Sequence, residues 1–125
     1  MLGNIAAVAT VGVRDMERAA RFYEDVLGLE RIESMGKMAA AYRTGHSSLL
    51  VYQSQYAGTN KATAVTWDLG SEVDRVVRAL KEKGVAFEHY DLPDTKMDGD
   101  VHVSGGRRLA WLKDPDGNIL ALGGR

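Results

Sequence analysis

The sequence contains no cysteine in its 125 residues, which removes disulfides, thiolate nucleophiles and cysteine-ligated zinc together. No stretch approaches the roughly 20 apolar residues that span a bilayer. The N-terminus, Met1-Leu2-Gly3-Asn4-Ile5, lacks a basic segment followed by a long apolar run. There is no charge bias either. The formal net charge is −1, and no basic cluster with interleaved aromatics offers a footprint for nucleic acid or an anionic membrane. What remains, 45% hydrophobic and 26% charged residues, is ordinary for one soluble globular domain, with the cytoplasm as the default compartment.

The chain reads as two halves with one plan. Ile5 to Val13 is apolar and β-branched enough for a strand, and Asp15 caps a helical pattern carrying Met16, Ala19, Ala20, Tyr23, Val26 and Leu27. Gly28 ends that helix, and strand-like runs follow at Glu30–Met35, Met38–Thr44 and Ser47–Gln53. In the second half Ala62–Leu69 is a strand, and Ser71 with Asp74 marks a helix start. Val73, Val76, Val77 and Leu80 form the helix stripe, and Gly84 closes it. Strands are predicted at Val85–Asp91, Arg107–Lys113 and Ile119–Leu122, the last two joined by the turn signal Asp114-Pro115-Asp116-Gly117-Asn118. Aligning Gly84 on Gly28, an offset of 56 positions, superposes strand on strand and helix on helix. The predicted fold is α+β: two βαβββ modules in a single domain, module one over 5–53, a linker over 54–61 and module two over 62–123. Segment 92–106 is polar, glycine-containing and long for a structureless loop, so it reads either as a lid over a binding site or as a plain excursion.

Two segments resemble a known family. Val13-Arg14-Asp15 through Phe22-Tyr23-Glu24-Asp25-Val26-Leu27-Gly28 is similar to the first strand-to-helix signature of the vicinal oxygen chelate superfamily, the glyoxalase, bleomycin-resistance and extradiol dioxygenase proteins. Ala110-Trp111-Leu112-Lys113 through Asn118 resembles its closing hairpin. The resemblance implies that each module curls into a half-barrel and that two half-barrels enclose a ligand-holding cleft. It also implies a homodimer, which would cover the sheet edges and apolar face of such modules.

Enzymes of that superfamily hold a divalent metal in the cleft, where it acts as a Lewis acid with open coordination positions. The resemblance places the ligands on the first and last strands of each module. The first-strand position, seven residues before Asp15, is Val8, and its counterpart in module two is Ala64. The position three residues after Asn118 is Ala121, and the candidates in module one's fourth strand are Leu49, Leu50 and Val51. None carries a lone pair. His46, His89 and His102 share no helix or strand spacing. The expectation is no metal site and no cofactor.

Side chains alternate along a strand. If Val8 and Ala64 mark the cleft face, Thr10 shares it in the first strand, and Thr66 and Asp68 share it in module two. Tyr42, Tyr52, Tyr90 and Trp111 are candidates to stack on a planar ligand, with core or dimer packing as the alternative. Tyr42 and Arg43 are neighbours, so only one of them faces inward; Arg43 and Arg108 are candidate partners of an anion. His102 sits on the 97–102 loop that would close over the cleft. Asp68 has two readings: ligand anchor or general base, or a cap accepting backbone N–H bonds before the next helix. The candidate ligand contacts are therefore Thr10, Tyr42, Tyr52, Thr66, Asp68, His102 and Trp111, with Asp68 the one catalytic candidate. The leading expectation is metal-independent binding of a small hydrophobic or aromatic molecule by a homodimer. The alternative is a lyase, isomerase or dioxygenase-type enzyme with an atypical site.

Overall fold

The computed structural model describes residues 1–125. Each half returns its last strand beside its first. In the first sheet the order is β1–β4–β3–β2, from β1 (Ala9–Val13), β2 (Glu30–Met35), β3 (Ala39–Thr44) and β4 (Ser47–Gln53), with β1 parallel to β4. The second sheet runs β5–β10–β9–β8–β7, from β5 (Thr63–Asp68), β7 (Lys96–Asp98), β8 (Val101–Ser104), β9 (Arg107–Lys113) and β10 (Ile119–Gly124), with β5 parallel to β10. A parallel pair needs a long crossover. Here it is the helix and the strands between. The two sheets are separate and open, which is the half-barrel α+β architecture the sequence predicts.

Helix α1 (Met16–Ala20) continues into a π-helical turn, Arg21–Val26, and α2 spans Val73–Glu82. Asp15 caps α1 as expected, its Oδ1 accepting from the backbone N–H groups of Glu17 and Arg18 at 3.0 and 3.2 Å. Gly28 and Gly84 follow the two helices with φ of 75° and 92°, a conformation that favours glycine.

Three boundaries differ from expectation. Residues 2–4 form a 3-10 turn and the first strand begins only at Ala9. The strand expected over 85–91 shrinks to β6 (Phe87–Glu88), and Ser71 lies in a 3-10 turn without capping α2. Segment 92–106 is not structureless: it contains the β7–β8 hairpin. Both β6 and β8 pair with β9, so the strand edge that one continuous strand would fill is shared by two short pieces with an excursion between them.

One core serves both halves. Val13, Tyr23, Tyr42, Leu49 and Val51 from the first join Val73, Val77, Leu80, Leu112, Leu120 and Leu122 from the second in a single buried cluster. Val73, Val77 and Leu80 lie at helical spacing, so α2 gives one face to that cluster. Burying each such side chain is worth about 1.5–3 kcal/mol. Trp67, half-buried on the core side, donates Nε1–H to Thr44 Oγ1 at 2.8 Å across the two halves. The faces turned away from this core are where a cleft can form.

Candidate functional site

The strand registers define those faces. In the first sheet Thr10, Leu50 and Ala41 lie side by side, as do Gly12, Tyr52 and Ala39. Their neighbours in sequence, Val11, Val51 and Ala40, are buried in the core. In the second sheet Thr66, Ala121 and Trp111 form one row, and Asp68, Gly123 and Leu109 the next.

One predicted contact falls on the core face, and another, in the Leu109 row, is already engaged. Tyr42 takes the core parity of β3 and is 1% exposed; its hydroxyl donates to Glu24 Oε2 at 2.8 Å. Burial, followed by the hydrogen bond to Glu24, pushes its phenol up to about 12. Arg43, its neighbour, faces outward with a loose pairing to Glu30 at 3.7 Å. His102 is also 1% exposed. Its Nε2 accepts from the Tyr90 backbone N–H at 2.9 Å and its Nδ1 lies 3.2 Å from the Leu109 carbonyl, so the hydrogen sits on Nδ1 and both nitrogens are used within the chain. His102 braces the excursion against β9 in place of offering a ligand atom. Arg108 is likewise committed, to Asp74 at 2.7 Å and Asp98 at 2.8 Å, which hold its guanidinium above its usual value.

The other candidates are accessible. Tyr52 is 41% exposed and its hydroxyl has no partner in the chain. Thr10 donates to the Val8 carbonyl at 3.2 Å, and Thr66 is exposed. Asp68 is exposed and its Oδ1 accepts from Gly70 N–H at 3.1 Å, an Asx turn into the 3-10 turn Gly70–Glu72 and not a cap of α2, which leaves Oδ2 free.

Trp111 has the most consequential placement. It lies on β9, yet its Nε1–H donates to Thr63 Oγ1 on β5 at 3.2 Å. β10 runs between those strands, and neighbouring strands are about 4.8 Å apart, so the indole must cross over β10. Ala121, its register partner there, is 3% exposed. The indole packs edge-on against His102 at 4.8 Å and Tyr90 at 5.3 Å between ring centres. An aromatic layer therefore covers this part of the second sheet. No pattern in the sequence announces the crossing, because it depends on the strand order.

The positions at which the resemblance would put metal ligands carry alkyl groups. The register resolves the fourth strand of the first half: Leu50 shares the Thr10 face, while Leu49 and Val51 are core residues. Val8, Leu50, Ala64 and Ala121 offer no donor atom, and Ala121 is buried beside Trp111 in the strand register. No three His, Asp or Glu side chains converge anywhere in the chain. His89 pairs with Asp100 at 2.7 Å, and Lys81 shares that carboxylate, which holds it below its usual value. The residues present do not fit a chelated divalent ion.

The family model of the Glyoxalase/Bleomycin resistance protein/Dioxygenase superfamily matches residues 5–122. The chain belongs to this superfamily. Solved structures of the superfamily fold agree across nearly the whole length. Lactoylglutathione lyase from Agrobacterium tumefaciens is similar at 20% identity and a TM-score of 0.72, over 98% of this chain and 95% of that one. The fosfomycin resistance protein FosX from Listeria monocytogenes is similar at 17% identity and a TM-score of 0.73, over 100% and 95%. A glyoxalase family protein from Enterococcus faecalis is similar at 17% and 0.73, over 98% and 99%. At these identities the likeness extends to the fold. No curated protein matches the sequence. No helix of this superfamily member is long and apolar enough to cross a membrane.

Proposed function

We propose that this superfamily member binds a small hydrophobic or aromatic molecule in its cleft without a metal ion, as a homodimer in the cytoplasm. One observation carries the reading: the ligand positions are Val8, Leu50, Ala64 and Ala121, alkyl side chains all, and the last is 3% exposed beside its register partner Trp111. An alkyl group cannot coordinate a cation. Thr10, Tyr52, Thr66, Asp68 and Trp111 are the contacts we assign to the ligand. Ile32, Met35 and Met38 leave apolar surface exposed on the first half, which favours a partner chain over solvent.

The test is thermal unfolding of protein purified free of added metal, across a panel of small aromatic and aliphatic compounds. A compound that binds only the folded state, at ten times its Kd, adds about 1.4 kcal/mol. For a chain of this size that raises Tm by roughly 5 °C. No stabilisation by any compound of the panel would defeat the reading.

A further inference from the structure

Beside the Trp111 indole lies a hollow of about 240 Å³ formed by Lys61, Thr63, Tyr90, Leu92, Trp111 and Ile119, together with Ala62. We propose that this hollow binds a single-ring aromatic carboxylate, with the ring against Trp111 and Leu92 and the carboxylate on Lys61. This rests on the cleft-binding reading, shares Trp111 with the contacts assigned there, and gives that edge of the site a ligand class.

Size comes first. Drug-sized pockets run from about 300 to 1,000 Å³, so this hollow suits one ring and not a fused or multi-ring compound. Shape comes next. The wall is the Trp111–Tyr90 pair, set edge to face with centres 5.3 Å apart at 74°. That geometry leaves aromatic surface available for an offset or edge-on contact with a further ring, worth about 1 kcal/mol beyond burial.

Charge decides the class. Lys61 is the one charged side chain around the hollow, and it is exposed and forms no ion pair with any residue of the chain. Thr63 Oγ1 already accepts the Trp111 Nε1–H, so its own proton remains to be donated. The free side-chain donors around the hollow, Lys61 Nζ and Thr63 Oγ1, thus look for an acceptor, and no carboxylate of the protein lines it to compete. An anionic acceptor on an aromatic ring satisfies both demands. A neutral arene leaves Lys61 unused, and an amine meets a like charge.

Benzoate, benzamide and cyclohexanecarboxylate separate these contributions when titrated against the full chain at constant ionic strength, reading the two indole N–H resonances by NMR. Trp67, bonded to Thr44 in the core, is the internal control. Benzoate is expected to move the Trp111 resonance saturably and leave Trp67 still, with benzamide and cyclohexanecarboxylate each weaker. Lys61→Met, at an exposed and unpaired position, is expected to weaken benzoate about fivefold, the limit for an exposed ion pair, and to leave benzamide unchanged; Lys61→Arg is expected to restore benzoate. Equal binding of benzoate by the wild type and Lys61→Met, or no saturable shift at Trp111, overturns the assignment. If benzoate fails while another panel compound raises Tm, only this assignment falls. If no compound of any class binds, the cleft reading falls with it.

Discussion

Tyr23 donates its hydroxyl to Asp114 Oδ2 at 2.7 Å, across 91 residues of chain, and neither group is open to solvent. The same carboxylate accepts from the backbone N–H groups of Asp116 and Asn118, each at 2.9 Å, and from Asn118 Nδ2 at 2.8 Å. Asn118 in turn donates to the Gly12 carbonyl. The helix signature of the first half and the hairpin of the second are two ends of one network that fastens the halves together.

Tyr23→Phe removes a charge-assisted bond, whose contribution is typically 1.5–3 kcal/mol. We expect a loss in that range by urea denaturation. Asp114→Ala deletes the acceptor of four of these bonds, leaving only that from Asn118 to Gly12, and should cost clearly more than Tyr23→Phe. Equal stability of wild type and Tyr23→Phe would show that the bond does not hold the halves.

The Tyr23 hydroxyl, with that of Tyr42, sets an alkaline limit. Burial, then the Asp114 charge, pushes the Tyr23 phenol far above its ordinary value, and burial with the Glu24 bond raises Tyr42 to about 12. A free tyrosine ionises near about 10. Above that pH the unfolded chain releases protons that the folded chain keeps, so stability falls as pH rises from about 10 through 12. Tm measured across that range should drop, and Tyr42→Phe should flatten part of the decline.

Much of this architecture is legible from the sequence, for a local reason. Asp15, Gly28 and Gly84 act within a few residues of themselves, and Asp114-Pro115-Asp116-Gly117-Asn118 makes its turn from its own bonds. The excursion was hidden because β7 is only Lys96, Met97 and Asp98, all exposed, with no alternation to announce a strand. The parity of Tyr42 was undecidable beside Arg43 until β3 was paired with β4. His102, flanked by Val101 and Val103, carried a faint strand signal, but its fixation by Tyr90 and Leu109 depends on tertiary contact.

Ala121→Glu tests the roof over the second sheet. The new carboxylate must enter a position that is only 3% exposed, and burying a charge costs several kcal/mol unless it is fully paired. We expect strong destabilisation in urea, relieved in part by adding Trp111→Ala, which opens the site to water. An Ala121→Glu protein as stable as wild type would mean that the indole does not cover this position.

Asp68 separates a turn residue from a ligand anchor. Asp68→Ala should lower stability by about 0.5–1 kcal/mol through the turn bond to Gly70, while Asp68→Asn keeps an accepting oxygen and should be near neutral. Ligand affinity measured on the folded Asp68→Asn protein then reports on the charge alone. A loss of affinity without a loss of stability assigns that charge to the ligand.

The most direct measurement is elemental analysis of the purified protein, paired with the ligand-induced rise in Tm before and after treatment with a chelator. We expect metal well below one equivalent per chain and a rise in Tm that the chelator leaves unchanged. Near-stoichiometric zinc, nickel, iron or manganese, with the rise in Tm abolished by chelation, would contradict metal-free binding.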